Sequence, residues 1–520
     1  MKKVSLLGVL LLMAVSSFAQ VWKADMGDGN YRNPILYADY SDPDVCRVGK
    51  DFYMTSSSFN CVPGLQILHS VDLVHWEIVG AALPDVLPGT EGVETPQYGG
   101  CVWAPSIRYH DGWFYIYYGD PDRGIYMLRT QDVRGLWNRP VLVKAGKGLI
   151  DPCPLWDEDG NVYLVHAYAG SRAGLKSVLA VMQLTPDGSG VLGESRIVYD
   201  GHRDNPTIEG PKFYKRNGYY YVFAPAGGVK QGWQLALRSR SVYGPYETKV
   251  VLEQGETPVN GPHQGGWVDT ESGEDWFLHF QDAGIYGRVV HLQPMYWESD
   301  WPVIGKYGAP VLKHKKPAVS APVEPCAVPE SDEFDSATLG LQWQWAANVN
   351  PKWYFCDAKT GQLRLFSYYS PSSEVPNLLL QKFPARSFMV TTRIRFCPSD
   401  KHKGEQAGLI LDGTRPAYMV MKNLADGIVL SFKAESYNMA LTSVQPDTWV
   451  YLRMQCKSSG QCIFSYSLDG KKYKTIAIPV QATGREWIGA KMGLFCTRAA
   501  ESKNDGGWLD VDYWRVEPLP

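Results

Sequence analysis

The chain has 520 residues, and its 51 lysines and arginines nearly balance its 54 aspartates and glutamates. The formal net charge of −3 argues against nucleic acid or an anionic membrane surface as a partner, because such binders usually carry a basic face. The 18 tryptophans, 31 tyrosines and 17 phenylalanines are typical of a strand-rich protein, and they also suit the stacking of flat ligands. The length exceeds one ordinary core and predicts at least two domains.

The first residues have the features of a secretory signal peptide. Two lysines precede an apolar run, and Ser17-Phe18-Ala19 forms a small-residue cleavage site. Cleavage after Ala19 would remove residues 1–19, and no cysteine stands there to carry a lipid anchor. No later apolar stretch is long enough to span a bilayer. The sequence therefore predicts a periplasmic or secreted protein without membrane insertion. Its ten cysteines lack the spacing of a disulfide scaffold or a zinc site, so their pairing stays open.

Five segments of the chain share one plan: a proline, a strand, a tight turn and an aromatic strand. They begin at prolines separated by 62, 47, 59 and 51 residues, namely Pro43, Pro105, Pro152, Pro211 and Pro262. A repeat of roughly 50 residues with several short strands is typical of a propeller blade. The repeats predict an all-β fold, a five-bladed β-propeller over residues 20–315, with Trp76 and Trp137 packing inside blades.

The amino-acid composition of the chain changes after the fifth repeat. Residues 316–330 are rich in proline, alanine, valine and lysine, which is typical of an interdomain linker. Residues 331–520 contain alternating strands such as "FMVTTRIRF" and "TWVYLRMQC". This pattern predicts a second domain with a β-sandwich of the jelly-roll type.

Three of the five repeats bring an acid to their proline. Asp42 and Asp151 directly precede it, and Glu209 stands two residues before Pro211. The other two repeats have Trp103-Ala104 and Asn260-Gly261, so a blade does not need the acid in order to fold. Because the inner strands of a propeller start beside its axis, the three acids are predicted to share one cavity. Proline also favours extended geometry in the residue before it, so we expect an extended Asp42.

Clustered carboxyl groups in a pocket raise the pKa of at least one of them, which suits a general acid. A second carboxylate that activates water completes the requirements of glycoside hydrolysis. The neighbouring Asp39 and Asp44 are interpreted as turn and solvation residues. A propeller that binds sugar without cleaving it is the alternative from another class. A lectin, however, gains little from three carboxylates around a neutral sugar.

Several motifs resemble glycoside hydrolase family 43. They are "NPILYADYSDPDVCRVGKDFYMTSSSF", "LHSVDLVHW", "VWAPSI", "IDPCPLWDEDGNVYLV" and "IEGPKFYKRNGYYYVF", in order and at blade spacing over residues 30–315. The tail resembles the concanavalin-A-like C-terminal domain of the β-xylosidase-type members, in which a loop can close one side of the pocket. The resemblance implies an inverting enzyme, with Asp42 as general base, Glu209 as general acid and Asp151 as the residue that tunes the pKa of the acid and orients it.

The resemblance implies further site residues. Arg288, in "IYGRVVHLQP", matches an arginine that contacts substrate, with a solvated strand-end arginine as the plain alternative. Phe59 and Trp103 fit an aromatic wall of the sugar pocket or, alternatively, the core. His263 matches a histidine that approaches an axial calcium ion through water, with a buried packing residue as the plain alternative for a lone histidine. No cofactor is required for the reaction. The sequence departs from the usual pattern at four cysteines near these motifs, which bears on pocket shape: Cys46, Cys61, Cys101 and Cys153.

The substrate is predicted less sharply than the reaction. Retaining fructosidase-type propellers also use an aspartate near a first-blade proline, but within Asn-Asp-Pro-Asn-Gly, where this chain has Ser41-Asp42-Pro43-Asp44-Val45. The large second domain favours an exo-acting enzyme over an endo-arabinanase. We expect removal of terminal α-L-arabinofuranosyl residues from plant polysaccharides such as arabinoxylan or xyloglucan, or from their oligosaccharides. β-D-Xylosidase activity is the alternative.

Overall fold

The computed structural model describes residues 20–86, 95–319, 323–369, 375–498, 501 and 505–519. Nearly all regular structure is β. The described helices are one short α-helix, Gly170–Ala173, and one 3-10 turn, Gly284–Tyr286. Neither of these described helices approaches the length or apolar character that crossing a membrane requires. The predicted signal peptide, residues 1–19, lies outside the described residues.

The first domain is a five-bladed β-propeller, as predicted. Each blade is a four-stranded antiparallel sheet in simple chain order. The repeat proline directly precedes the first strand in blades one, four and five and lies within it in blades two and three. The strands are, in blade one, β2 Asp44–Val48, β3 Asp51–Thr55, β4 Gly64–Ser70 and β5 Glu77–Leu83; in blade two, β6 Trp103–His110, β7 Trp113–Asp120, β8 Gly124–Thr130 and β9 Val141–Ala145; in blade three, β10 Leu149–Trp156, β11 Val162–Tyr168, β12 Val178–Leu184 and β13 Arg196–Asp200; in blade four, β14 Lys212–Arg216, β15 Tyr219–Ala226, β16 Trp233–Ser239 and β17 Glu247–Leu252; in blade five, β18 His263–Asp269, β19 Asp275–Asp282, β20 Arg288–Glu298 and β21 Trp301–Ile304.

The propeller closes where the chain entering blade one meets blade five. The strands β1 Asn30–Arg32 and β22 Lys313–Lys315 form an antiparallel ribbon outside the blades. Next to it, Ile35 N donates to Val290 O at 2.8 Å, and Asn33 Nδ2 donates to Leu292 O at 2.7 Å. Because Val290 and Leu292 belong to β20, these bonds tie the lead-in of blade one to the third strand of blade five. Apolar side chains fill the space between blades, and Trp76 is fully buried there while Trp137 packs against the blade-one and blade-two core.

The second domain is a β-sandwich of two large sheets, as predicted. One sheet orders its strands β23-β27-β37-β29-β30-β31-β32 with β26 beside β37, and the other orders them β24-β25-β38-β28-β33-β34-β35 with β36 beside β34. Fully buried Trp343, Trp353 and Trp514 contribute to the core between them. The strands are β23 Gln344–Trp345, β24 Tyr354–Asp357, β25 Gln362–Phe366, β26 Tyr368–Tyr369, β27 Leu379–Lys382, β28 Phe388–Cys397, β29 Gln406–Asp412, β30 Ala417–Leu424, β31 Gly427–Ala434, β32 Tyr437–Val444, β33 Trp449–Cys456, β34 Gln461–Ser467, β35 Lys474–Thr475, β36 Val480–Gln481, β37 Lys491–Arg498 and β38 Trp508–Glu517.

The two domains are joined by backbone hydrogen bonds as well as by side chains. Val62 of the propeller and Trp345 of the sandwich exchange N–H···O bonds of 2.9 and 2.6 Å. The Tyr286 hydroxyl lies 3.1 Å from both Arg386 O and Ser458 O. The described parts of the predicted linker, residues 316–319 and 323–330, contain no strand or helix. All ten cysteines are free thiols in the structure.

Candidate active site

A pocket of about 110 Å³ opens at the end of the propeller axis where the inner strands begin. Because those strands come from different blades, residues far apart in sequence meet in it. The sandwich also contributes one side chain to this pocket. Its lining residues are Asp42, Phe59, Trp103, Ala104, Ile150, Asp151, Glu209, Gln264, Arg288 and Trp487.

The residues that precede the five repeat prolines share one unusual backbone conformation. All five have a positive φ: Asp42 54°, Ala104 21°, Asp151 58°, Gly210 56° and Gly261 44°. The expectation of an extended residue before proline is therefore wrong for Asp42. The left-handed turn comes immediately before or within the inner strand, with Asp42 and Asp151 both lining the axial pocket. In two blades the position is glycine, which adopts this conformation without a steric penalty.

Asp42 is held by three donors. Its Oδ2 accepts hydrogen bonds from Ser41 Oγ at 2.7 Å and Ser57 Oγ at 2.5 Å, and its Oδ1 accepts one from Arg288 Nη1 at 2.9 Å. A carboxylate has about four lone-pair positions, so one on Oδ1 remains for a water molecule. The guanidinium and the two hydroxyl groups fix the orientation of the carboxylate in the pocket.

Asp151 and Glu209 form the second part of the acid cluster and differ in exposure. Asp151 is buried, at 3% exposed, and its Oδ2 accepts a 2.7 Å hydrogen bond from Gly210 N, the residue after Glu209. The side chain of Glu209 is 37% exposed, towards the pocket. Burial raises the pKa of Asp151, and the nearby charges of Glu209 and Asp42 raise it further. The predicted convergence of the three acids is thus present, and Glu209 is the more accessible carboxyl of this pair.

His263 lies under Glu209 rather than among carboxylates. Its ring is fully buried, and Nε2 lies 3.2 Å from Glu209 Oε1, while Nδ1 has no hydrogen-bond partner among the described residues. No group of three or more His, Cys, Asp or Glu side chains in the described ranges is arranged to hold a metal ion. Calcium prefers six to eight oxygen ligands, so this donor set does not fit a protein-built calcium site. The axial calcium ion stays a prediction, and it would have to take most of its ligands from water.

Three aromatic residues line the pocket. Phe59 and Trp103 lie where the sequence placed an aromatic wall, and the indole of Trp103 donates to Gly99 O at 2.9 Å. Trp487 comes from the sandwich, in the loop between β36 and β37, and meets Trp103 edge-on with ring centroids 4.8 Å apart. The described pocket is therefore completed by the second domain. The cysteines that depart from the motif pattern are not among the lining residues.

Arg288 joins the acid cluster instead of pointing into solvent. Its Nη1 donates to Ser41 Oγ at 2.8 Å as well as to Asp42, and its guanidinium lies 4.6 Å from the centroid of the Phe280 ring. A solvated strand-end arginine, the plain alternative, is excluded by its burial.

The interpretation of Asp39 and Asp44 as turn and solvation residues is wrong. Both are buried. Asp44 forms a 2.6 Å ion pair with Arg108 further along the axis, and its Oδ2 accepts a bond from Ile107 N at 2.8 Å. Asp39 accepts two backbone hydrogen bonds, from Arg288 N and Gly489 N. Their distant partners, which no local turn pattern indicates, explain the error.

Sequence reasoning missed several pocket residues. Ser41 and Ser57 hold Asp42, and the only signal for them was their position in the first-blade motif. Gln264 follows His263 directly and lines the pocket with a positive φ of 33°. Trp487 had no signal of its own, because its role depends on how two domains pack.

Comparison with known proteins agrees with this geometry. Residues 31–302 match the family model described as glycosyl hydrolases family 43, and residues 331–517 match that of the β-xylosidase C-terminal concanavalin A-like domain. A putative β-xylosidase from Xylanibacter ruminicola is 40% identical over 483 residues, covering 91% of this chain and 87% of the relative. A non-reducing end α-L-arabinofuranosidase from Bacteroides ovatus is 29% identical over 450 residues, covering 79% and 82%.

The fold has solved counterparts as well. The crystal structure of a xylan β-1,4-xylosidase from Bacillus halodurans matches with a TM-score of 0.83 at 25% identity, covering 94% of this chain and 99% of that one. The match spans both domains, so their arrangement is shared and not only the separate folds. The predicted family is confirmed: the chain belongs to glycosyl hydrolase family 43 and carries that family's concanavalin-A-like C-terminal domain.

Proposed function

We propose that the protein is an exo-acting, inverting glycosidase that removes a terminal pentosyl residue, β-D-xylosyl or α-L-arabinofuranosyl, from plant hemicellulose or its oligosaccharides. The observation that carries this proposal is the pocket itself, where three carboxylates from different blades face a space of about 110 Å³ that Trp487 of the second domain also lines. Such a space suits the end of a glycan better than the middle of a chain.

Asp42 acts as the general base in this proposal. Its carboxylate is fixed by Arg288 and two serine hydroxyl groups, and the remaining lone pair of Oδ1 is free to take a proton from water. The water then attacks the anomeric carbon from the side opposite the leaving group, and the configuration inverts.

Glu209 acts as the general acid because it is the exposed member of its pair and its carboxyl faces the pocket. It donates a proton to the glycosidic oxygen as the bond to the anomeric carbon breaks. Asp151 stays buried behind it and accepts the hydrogen bond from Gly210 N, so it orients the backbone next to the acid, while the charge of Glu209 raises the pKa of Asp151. Each carboxyl group thus has a separate task, set by its surroundings.

The choice between the two pentosyl groups rests on relatives that carry both names. The relative at 40% identity is named a putative β-xylosidase, and the one at 29% an α-L-arabinofuranosidase. The sequence-based preference for arabinofuranosides therefore gains no support over the xyloside. Arabinoxylan and xyloglucan side chains are the proposed natural sources. Export to the periplasm or medium is proposed from residues 1–19 and is tested by N-terminal sequencing of the protein recovered from cell fractions.

The experiment compares release of nitrophenol from the α-L-arabinofuranoside and the β-D-xylopyranoside by the wild type and Glu209→Ala. Cleavage of one or both by the wild type supports the proposal if Glu209→Ala is strongly impaired on the corresponding xylo- or arabino-oligosaccharide, and the ratio of the wild-type kcat/KM values gives the specificity. Proton NMR of the first-formed sugar should show the anomer opposite to that of the substrate. Sugar binding without cleavage of either glycoside, or of arabinan, would favour the non-catalytic alternative.

A further inference from the structure

One buried carboxylate joins the two domains beside the pocket. Asp39 Oδ1 accepts a 2.9 Å hydrogen bond from Arg288 N in blade five, and Oδ2 accepts a 2.9 Å bond from Gly489 N in the sandwich. The side chain is buried, so water does not compete for these bonds. Hydrogen bonds to an ionised acceptor are roughly twice as strong as those between neutral groups.

Both donors belong to segments that carry pocket residues. Gly489 follows Trp487 by two positions, in the loop between β36 and β37. Arg288 is itself the residue that holds Asp42. Asp39 therefore contacts the backbone two residues after Trp487 on one side of the pocket. On the other side it contacts the backbone of Arg288, whose side chain holds Asp42.

The junction around Asp39 has no spare room. A Cβ on Gly287 would overlap the Asp39 carboxyl carbon, and a Cβ on Gly489 would lie 2.6 Å from Gly287 N. Beyond Gly489, Ala490 N donates to Ile285 O at 2.8 Å. The sandwich loop is thus fixed to the propeller immediately after Trp487, whose own φ is 60°. A residue in this conformation is retained only when its surroundings hold it there.

Two lysines interact with the charge of Asp39. The charge of Asp39 favours the protonated form of Lys382 and Lys491, both on sandwich strands that reach this interface, but burial and the nearby Lys491 lower the pKa of Lys382 to about 7. The Lys382 ammonium group also lies 4.4 Å from the centroid of the Tyr40 ring, on the propeller side. Asp39 therefore accepts two backbone hydrogen bonds from different domains and has two lysine side chains nearby.

From these contacts we infer that Asp39 is a positioning residue of the active site, holding Trp487 of the sandwich and Arg288 of the propeller in register across the pocket. The inference rests on the proposed glycosidase function, because it assigns Asp39 an effect on that reaction. It predicts that the sandwich affects catalysis through its hydrogen bond to Asp39 of the propeller, and not only by covering the propeller.

The experiment is a double-mutant cycle on Asp39→Asn and Trp487→Ala, with kcat and KM measured on whichever nitrophenyl glycoside is cleaved. Asparagine keeps the shape of the side chain but loses the charge and one acceptor. We expect Asp39→Asn to lower kcat/KM about tenfold, mainly by raising KM, since it replaces hydrogen bonds to a charged group. In the Trp487→Ala background the same substitution should lower kcat/KM by a clearly smaller factor, because the effects of coupled residues are not additive.

A matched control is Glu405→Gln. Glu405 is also a buried carboxylate that accepts two backbone hydrogen bonds, each 2.7 Å, from Ser399 N and Gly507 N, but within the sandwich and away from the pocket. Its variant should lose stability and keep the kinetic constants of the folded enzyme. The inference would be overturned if Asp39→Asn lowered kcat/KM by the same factor in both backgrounds, or if its kinetic constants matched those of Glu405→Gln.

Hydrogen exchange followed by mass spectrometry gives a readout that does not need activity. Amides of residues 488–490 should exchange slowly in the wild type and faster in Asp39→Asn, with no change in Glu405→Gln. Fast exchange in the wild type would by itself contradict the inference, so a poorly folded variant does not prevent a decision. If the wild type cleaves neither glycoside, the proposed function fails, whereas the exchange result still decides whether Asp39 fixes the loop.

Discussion

The ion pair between Arg288 and Asp42 offers a quantitative test of how the base is held. The Arg288→Met variant keeps an apolar stem but removes the guanidinium group that donates to Asp42 Oδ1 at 2.9 Å and to Ser41 Oγ at 2.8 Å. The side chains of the pair are only 11% and 6% exposed, so water screens their interaction little. The variant leaves Asp42 buried beside two hydroxyl groups without a positive partner.

The expected magnitude follows from the bonds that are lost. A hydrogen bond to a charged group contributes about 1.5–3 kcal/mol. Because about 1.36 kcal/mol corresponds to a tenfold change in rate, loss of this bond should lower kcat/KM by about 10- to 150-fold. Removing one member of a buried ion pair also lowers the free energy of unfolding, by about 3–5 kcal/mol. Arg288→Lys should recover part of the stability, since a single ammonium group can still pair with Asp42.

Initial rates with the cleaved nitrophenyl glycoside and denaturant unfolding of the same samples give the two quantities. Arg108→Met is the matched control, because Arg108 pairs with Asp44 at 2.6 Å in an equally buried position outside the acid pocket. It should destabilise the protein with little effect on the kinetics of the folded fraction. If Arg288→Met loses stability but keeps kcat/KM within threefold of the wild type, as Arg108→Met should, the reasoning about Asp42 is refuted.

Three further changes test the other pocket residues. Glu209→Gln should reduce kcat/KM by about 10²- to 10⁴-fold for an alkyl or sugar leaving group, and much less for nitrophenol, which leaves without help from an acid; equal losses on both would contradict the role of Glu209. Asp151→Asn should be less active but relatively more stable at high pH. Folding raises the pKa of Asp151, so the wild type loses stability as the pH rises above the pKa that Asp151 has in the unfolded chain. The melting temperature of the variant relative to that of the wild type should therefore grow from pH 4 to pH 8. A constant difference would contradict the raised pKa of Asp151. Trp487→Ala should raise KM about three- to tenfold through lost ring contact, with a smaller change in kcat, and an unchanged KM would place Trp487 outside the sugar site.

The sequence predicted the parts of the site that repeat symmetry determines. Once Pro43, Pro152 and Pro211 are read as equivalent blade starts, Asp42, Asp151 and Glu209 must converge, and the structure brings them together. The repeat symmetry did not predict the backbone conformation of the residues before these prolines. Residues before proline favour extended geometry in isolation, yet here φ is positive in all five blades. Tertiary contacts such as the bond from Gly210 N to Asp151 override that local preference.

The parts that depend on domain packing could not be predicted from single-residue patterns. Trp487 and Asp39 act across the interface, and their partners are hundreds of positions away in the chain. Asp39 even carried a misleading local signal, because aspartate is an ordinary turn residue. Long-range pairing of this kind leaves no periodicity to read. The resemblance to a family suggested that a loop of the second domain closes the pocket, but not which residue does so.

A comparison among the five blades shows what the acids cost the fold. Ala104, Gly210 and Gly261 occupy the position that Asp42 and Asp151 occupy in the other blades, and all five have positive φ. Glycine suits this conformation, whereas another residue held there costs about 1–2 kcal/mol. Asp42 and Asp151 add the cost of placing like charges in one cavity, where burial and their neighbours raise the pKa of Asp151. The fold alone would be served better by glycine at both positions. The serine hydroxyls and Arg288 around Asp42, and Gly210 N beside Asp151, offset part of this cost. Charge and strain therefore coincide at two of the three acids that the proposed reaction uses, and substitution of Asp42 or Asp151 should separate stability from activity.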